Sequence, residues 1–527
     1  MSADALPARD ESTLFGHPRG LFLLFMVEMW ERFSYYGMRG LLVLYLTTPL
    51  TGMAVLPEGQ VAGFNPGRGW AESDGSMLYG WYTGLAYLLP LFGGIIADRM
   101  IGTHRSMIVG GLLIAVGHVV LGISGMGALE TSSAGLSVFM AGLALIVIGT
   151  GHFKPSVSVM VGQLYPENDK RRDGAFSIFY MGINVGAFIC AFTCGTLGEL
   201  VGWHWGFGSA AVGMILGLLC YVWGRPRYLS TVGLARDESR AERTAPMFLA
   251  IGAGLSVLFG LAYHFGALAI FTAIMTPAVT TIGGIGILGL SVWFVMSQPQ
   301  SERGPVTSIF LFMLFNAIFW MAFEQAGSSV NLFTDRHTDR DLGGFIVPTT
   351  WFQSLNPAFV ILLSPLFGWM WTALSKRGMN PSQPAKIGIA LLLVGLGYIL
   401  MTIAGRVTAI DGAKAGMMLV FGMYFVHTIG ELFISPTGLS YVSKVAPKQF
   451  MSLLMGIWFI SSFIANLGGG WVAAQVERVE KGEFTLPWSF GGQADFFFLF
   501  VVSSVGLGVL VLAATPWLKK LSAGRDN

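Results

Sequence analysis

The chain has 527 residues, of which 54% are hydrophobic and only 11% charged, against about 25% charged in an ordinary soluble domain. That composition excludes a soluble enzyme, and a net charge of +2 carries no footprint of a nucleic-acid partner. The three cysteines, Cys190, Cys194 and Cys220, all lie in apolar stretches, where they read as small hydrophobes rather than a disulfide framework or a metal site.

The N-terminal stretch MSADALPARDESTLFGHPRG lacks the basic region and short apolar core of a cleaved signal peptide, so the first long helix is expected to direct insertion. A bilayer core of about 30 Å requires roughly 20 apolar residues per helix. On that scale the spans of the first half fall near 20–49, 77–98, 105–126, 134–163, 174–198 and 204–223. An Arg-rich stretch, 225–246, precedes two spans near 247–267 and 269–296 that carry no charge and read as lipid-facing additions. Six more follow near 306–330, 349–374, 385–404, 415–443, 450–475 and 492–517. The fold class expected is therefore an all-α polytopic membrane protein of fourteen transmembrane helices, with an N-terminal bundle (1–223), a linker with two additional helices (224–303) and a C-terminal bundle (304–527). Of the 31 Lys and Arg residues, only Arg68, Arg336, Arg340, Arg406, Lys414, Arg478 and Lys481 fall in segments facing away from the N-terminus. The positive-inside rule then places both termini in the cytoplasm, with the chain in the inner membrane.

Between the second and third spans stands GGIIADRMIGTHR, similar to a loop motif of the major facilitator superfamily. Its Asp98 reads either as a solvated helix-end acid or as a conformational latch. Pro155, Pro357, Pro365 and Pro436 interrupt helices, as static kinks or as points of bending.

Seven ionisable residues lie deep within spans: Glu28, Glu31, Arg32 and Arg39 in the first, then Lys154, Glu324 and Glu431. Isolated in lipid, seven such charges would cost on the order of 20 kcal/mol, so they must line a wet cavity or meet partners. On the first helix, Glu28, Glu31, Arg32, Tyr35, Tyr36 and Arg39 recur at helical spacing along one stripe. A structural ion-pair network is the bland reading of that stripe. Four carboxylates against three fixed cations leave one negative charge in surplus, which one proton or one substrate ammonium would balance.

EMWERFSYYG, from Glu28 to Gly37, resembles the ExxERFxYYG motif of the proton-dependent oligopeptide transporter family within the major facilitator superfamily. GTGHFKP around Lys154, FYMGINVG, FWMAFEQAGS around Glu324, QSLNPAF around Asn356 and GELFISPTGL around Glu431 extend the resemblance over nearly the whole chain, toward the bacterial peptide transporters. The resemblance implies a major facilitator fold and proton-coupled import of di- and tripeptides by alternating access. It implies Glu28, Glu31, Arg39 and Glu324 for proton coupling and gating, and Arg32 and Lys154 for the peptide carboxylate. Asn184, Asn356 and Glu431 would hold the amino terminus. Tyr35, Tyr36, Tyr82, Trp320, Ser435, Trp458, Phe459 and Ser462 would form the side-chain pocket. A monomer without cofactor or metal, with short peptides, protons and the lipid bilayer as its partners, is expected.

Besides a peptide sensor that binds without transporting, two rivals stand beside this reading. One is transport of another anion or zwitterion on the same fold. The other is an intramembrane enzyme, against which stand the absence of HExxH, of paired intramembrane aspartates and of a Ser/His constellation. His152, two residues before Lys154, reads as a packed helix histidine.

Overall fold

The computed structural model describes residues 12–50, 65–166, 168–269, 277–410, 413–435 and 438–525. In chain order the helices are α1 (Arg19–Thr47), α2 (Glu72–Ile96), α3 (Gly102–Ile123), α4 (Ser133–Gln163), α5 (Arg172–Cys190), α6 (Thr196–Leu200), α7 (Trp203–Tyr228), α8 (Glu238–His264) and α9 (Pro277–Met296). Then come α10 (Gln300–Phe323), α11 (Ser329–His337), α12 (Leu355–Lys376), α13 (Gln383–Thr408), α14 (Met417–Ile434), α15 (Gly438–Val445), α16 (Met451–Ala473), α17 (Val476–Glu480) and α18 (Ala494–Leu521). Strands among the described residues are limited to four of two residues each.

Eleven described segments are long and apolar enough to cross a bilayer. One of them, Glu72–Ile123, holds both α2 and α3 about a five-residue π-turn, Ala97–Ile101. At 29 residues α1 has the length, but its charged strip leaves no sufficiently apolar window, and α9 is counted only as a shorter apolar helix. Together these supply the fourteen spans the sequence predicts. The expected span 415–443 is described as Met417–Ile434 (α14) and Gly438–Val445 (α15), with residues 436–437 between them outside the described residues. The expected span 306–330 is broken by a 3-10 turn at Glu324–Gly327. Pro155 and Pro365 lie inside α4 and α12, whereas Pro357 is the third residue of α12, where a missing N–H costs little. Pro436 lies outside the described residues.

Two compact units divide the chain: one comprises 1–71, 85–264 and 342–361, the other 72–84, 265–341 and 362–527. In the first, α1 packs against α5 and α7, and α3 against α4 and α7. In the second, α13 packs against α14 and α18, and α10 against α16. Lipid gives no hydrophobic drive between helices, so close van der Waals contact has to supply it. Gly110 on α3 and Gly149 on α4 face each other so closely that a Cβ on either would overlap the other's carbonyl. The added helix α8 seats Ala241, Ala245, Gly252, Ser256 and Gly260 inward, and only 17% of its most apolar window is buried. It is thus lipid-facing on most of its surface and packed along one stripe of small residues, not apolar and free all round.

α1 is tightly seated, with Gly186 of α5 lying against the Met29 carbonyl with no room for a Cβ. Gly186→Ala should therefore lower stability by about 1 to 3 kcal/mol or more, because backbone cannot give way as a side chain does. Gly254→Ala, at a position with open space around it, should change it by less than about 0.5 kcal/mol. Thermal denaturation of the detergent-solubilised protein compares the two.

Candidate functional site

One face of α1 is apolar and fixed. Phe33 packs with Cys190, Cys194 and Ala210, flanked by Trp30 and Tyr36, so the free cysteines there do serve as small hydrophobes. That seat turns the polar stripe of the helix toward a different side, where Glu28, Glu31 and Arg32 are 2%, 0% and 6% exposed. Arg32 Nε donates to Glu28 Oε1 at 2.7 Å and lies 3.2 Å from Glu31 Oε2. Glu28 Oε2 and both oxygens of Glu31 are buried with no hydrogen-bond partner among the described residues. One guanidinium therefore serves two carboxylates, and it is engaged mainly with the first.

Aromatic rings line the cations. The Arg32 guanidinium carbon lies 5.8 Å from the centre of the Tyr35 ring and that of Arg39 lies 5.5 Å from the Tyr36 ring, while the two tyrosines meet edge to face at 5.3 Å. From α4, Lys154 places Nζ 3.6 Å from the centre of the Tyr87 ring, a cation–π geometry. Tyr87 is the residue that sequence reasoning missed. Tyr79, Thr83 and Tyr87 recur every four residues along α2, a spacing that signals one continuous face. Asn184 of α5 donates Nδ2 to the Tyr180 carbonyl of its own helix at 3.0 Å, and Asn356 is half-buried in the first turn of α12. His152 is a packed histidine: Nδ1 is 3.1 Å from Ser106 Oγ, its ring is 6.1 Å from that of Phe248, and it is 6% exposed. Asp98 is exposed and makes no hydrogen bond or ion pair among the described residues. The ion pair of that loop is made by Arg105 with Glu238 of α8, at 2.5 Å.

In the second compact unit, Glu324 opens the 3-10 turn that interrupts α10 and α11, and is 6% exposed. A carbonyl at this break is bonded from outside the helix, and the turn is tied to α16 by a side chain. Tyr398 donates its hydroxyl to the Ala322 carbonyl at 2.6 Å, and Gln325 donates Nε2 to Gly469 at 2.9 Å. Glu324 is thus carried on a pinned turn. Trp320, one turn earlier, donates Nε1 to Asn316 Oδ1 at 3.1 Å and lies edge to face with Phe319 and Phe323. Glu431 is 7% exposed near the end of α14, and Ser435, which caps that helix, is exposed. On α16, Trp458 is buried with its indole against Gly438, while Phe459 and Ser462 are half-buried on neighbouring positions of the same helix. Tyr82, also in this unit, is 3% exposed.

A multi-pass helical membrane protein with carboxylates and guanidinium buried together at bilayer depth is built as a secondary transporter is built. Comparison with known proteins narrows this class. A family profile described as PTR2, POT family, matches residues 104–488. The peptide transporter YePEPT of Yersinia enterocolitica subsp. palearctica serotype O:3 (strain YE-P4) is 35% identical over 484 residues, covering 88% of this chain and 89% of its own. A di-/tripeptide transporter of Lactococcus lactis subsp. lactis (strain IL1403) is 33% identical over 526 residues, covering 97% of this chain and 98% of its own. Among solved structures, a peptide transporter POT in complex with sulfate is similar with a TM-score of 0.77 at 35% identity over 98% of both chains. A mutant peptide transporter POT in complex with alafosfalin gives 0.76 at 34% identity over 97% of both. The chain belongs to the POT family.

The triad on α1 makes a stability prediction of its own. Arg32→Met leaves two buried carboxylates without their cation and should cost about 3 to 5 kcal/mol. Adding Glu28→Gln and Glu31→Gln to the same chain removes the stranded charges and should recover most of that loss. A triple variant as unstable as the single one in thermal denaturation would show that packing, not charge pairing, sets the cost.

Proposed function

We propose that this chain is a proton-coupled symporter that imports di- and tripeptides across the cytoplasmic membrane by alternating access, with both termini cytoplasmic and the monomer as the working unit. The observation that carries the reading is the shared guanidinium on α1: Glu28 and Glu31 compete for Arg32, and both oxygens of Glu31 are buried without a hydrogen bond. Such a group is stable either protonated or with its cation freed from other work. A peptide carboxylate that engages Arg32 takes the guanidinium away from the glutamates, so binding of substrate and uptake of a proton favour each other. The names of the relatives, peptide and di-/tripeptide transporters, support peptides as the substrate.

In this scheme Arg32 supplies a planar fork and Lys154 a compact charge to the peptide carboxylate, with the Tyr87 ring holding the ammonium in place. Asn184, Asn356 and Glu431 receive the amino terminus, because a carboxylate and two amide oxygens match the three protons of an ammonium. Glu28, Glu31, Arg39 and Glu324 handle the proton and the gate. Tyr35, Tyr36, Tyr82, Trp320, Ser435, Trp458, Phe459 and Ser462 contribute apolar faces and a few hydroxyls, which tolerate varied side chains. The segments 1–223 and 304–527 act as the two moving bundles, joined by 224–303, and no cofactor takes part.

Proton-driven uptake of labelled dialanine into proteoliposomes tests the reading. Glu324→Gln should abolish pH-driven accumulation while counterflow exchange persists, and Arg32→Ala should raise the peptide KM by about tenfold or more through loss of a charged hydrogen bond. Accumulation by the wild type without a pH gradient or membrane potential, or intact pH-driven accumulation in Glu324→Gln, would overturn proton coupling. Competition by nitrate rather than by varied dipeptides would redirect the substrate assignment.

A further inference from the structure

Residues 342–361 belong in sequence to the C-terminal half, yet they are part of the compact unit built from α1 and α3–α8. What fastens them there is a single face of the α5–α6 segment. Phe192 lies 4.9 Å from the ring of Trp351, Thr196 Oγ1 accepts from Trp351 Nε1 at 2.9 Å, and Gly195 has no room for a Cβ against Thr350. Glu199 completes the set. Its Oε2 accepts the Thr349 N–H at 2.8 Å, and its Oε1 accepts the Thr350 N–H at 2.8 Å and the Thr350 hydroxyl at 2.6 Å. The four residues stand three, four and seven positions apart, across the π-turn Ala191–Gly195 that separates α5 from α6.

Thr349 and Thr350 open the 3-10 turn Thr349–Ser354, which runs directly into α12. The first N–H groups of such a segment have no partner within it. A residue of its own chain neighbourhood ordinarily caps them, but here Pro348 stands at the cap position and makes no side-chain hydrogen bond. Glu199, some 150 residues earlier in the chain, takes that role with both oxygens. Thr349 and Thr350 are 0% and 2% exposed, so without Glu199 their donors would be stranded in place. If the segment withdrew to the aqueous rim, water could satisfy them. A charged acceptor on buried donors is strong when closed and replaceable by solvent when open, which is the chemistry of a catch, not of a permanent seam.

We propose that Glu199 is a positioning residue of the transport cycle, a latch whose carboxylate holds the leading turn of α12 on α5 and α6 and releases it when the outer end opens. The inference rests on the alternating-access reading above, whose orientation places Glu199 and Thr349 toward the outer side.

The test uses full-length protein in lipid nanodiscs, with Cys190, Cys194 and Cys220 replaced by alanine and spin labels on cysteines at Leu200 and Leu342, both exposed at the two sides of the latch. Pulsed electron resonance reads the distance distribution, and proteoliposome uptake of dialanine is measured on the same variants. Glu199→Gln should enlarge the long-distance population by about tenfold, since the amide replaces one of the two acceptor oxygens with an NH2 group that cannot accept from a backbone donor. Thr350→Val, which removes only the hydroxyl, should shift it less and in the same direction, and Glu199→Asp should restore part of the closed population. Uptake should slow with the size of the shift. Distributions for Glu199→Gln that superimpose on wild type would overturn the latch, as would a lowered melting temperature with no population change, the mark of a merely structural cap. If Glu199 variants do not fold, Thr350→Val decides by the same criterion. A wild type that fails to take up dialanine would count against the proposed function, and the distance comparison would still judge the latch.

Discussion

Two carboxylates sharing one guanidinium in the first helix set the terms for the rest of the molecule. Glu28, Glu31 and Arg32 are all nearly inaccessible, and the ion pair at 2.7 Å leaves Glu31 with the weaker contact at 3.2 Å. Lipid cannot solvate such a group, so α1 has to be enclosed by protein. α5 and α7 pack on the opposite face of the same helix through Phe33 and the cysteines. An apolar face tight enough to exclude a methyl group holds the helix, and a charged face left short of partners is thereby kept in a fixed orientation.

The same economy appears in the way the helices meet. Where no hydrophobic force acts between helices in lipid, backbone contact at glycine and hydrogen bonds at helix breaks decide which surfaces stay together. Gly110 with Gly149 in one unit and Gly388 with Gly508 in the other are backbone-to-backbone approaches. Pairs of this kind confine each helix within its own unit. The ion pair of Arg105 on α3 with Glu238 of α8 lies beside an apolar seam in which Ala241 and Ala245 pack with Ile101, Val109 and Leu113.

Much of this was legible in the sequence, for reasons that differ by element. A run of about 20 apolar residues has few alternatives to a membrane helix, and a charge inside one is conspicuous because it is costly. The stripe on α1 and the fourteen spans were readable on those grounds. Turns inside and at the ends of helices were less readable: the π-turn Ala191–Gly195 lies in apolar sequence with no composition signal and nothing marked the 3-10 turns at Glu324 and Thr349, whereas the π-turn Ala97–Ile101 falls at the boundary expected between the second and third spans. They are imposed by tertiary contacts. Tyr87 looked like any aromatic on an apolar helix, and its neighbour Lys154 reveals it only in three dimensions. Glu199, just past the end of the span expected at 174–198, carried no sequence signal of its role and is bound by backbone.

Two of these breaks solve one problem in opposite ways, and the difference bears on function. A helix interrupted at bilayer depth exposes carbonyls and N–H groups that have to find partners. At Glu324 the partner is Tyr398, fully buried and donating to Ala322 at 2.6 Å, with Gln325 bonded across to Gly469. Tyr398 is fully buried, so breaking its bond would strand the phenol hydroxyl, and the turn carrying Glu324 is held in place. At Thr349 the partner is the half-buried carboxylate of Glu199, close to the end of its helix, where solvent can replace it. On the proposed function, a proton-binding turn at Glu324 would gain from rigidity because its acidity depends on fixed surroundings, whereas a gate at Thr349 would gain from a bond whose loss water repays. The placement of a buried phenol at one break and a rim carboxylate at the other follows that division.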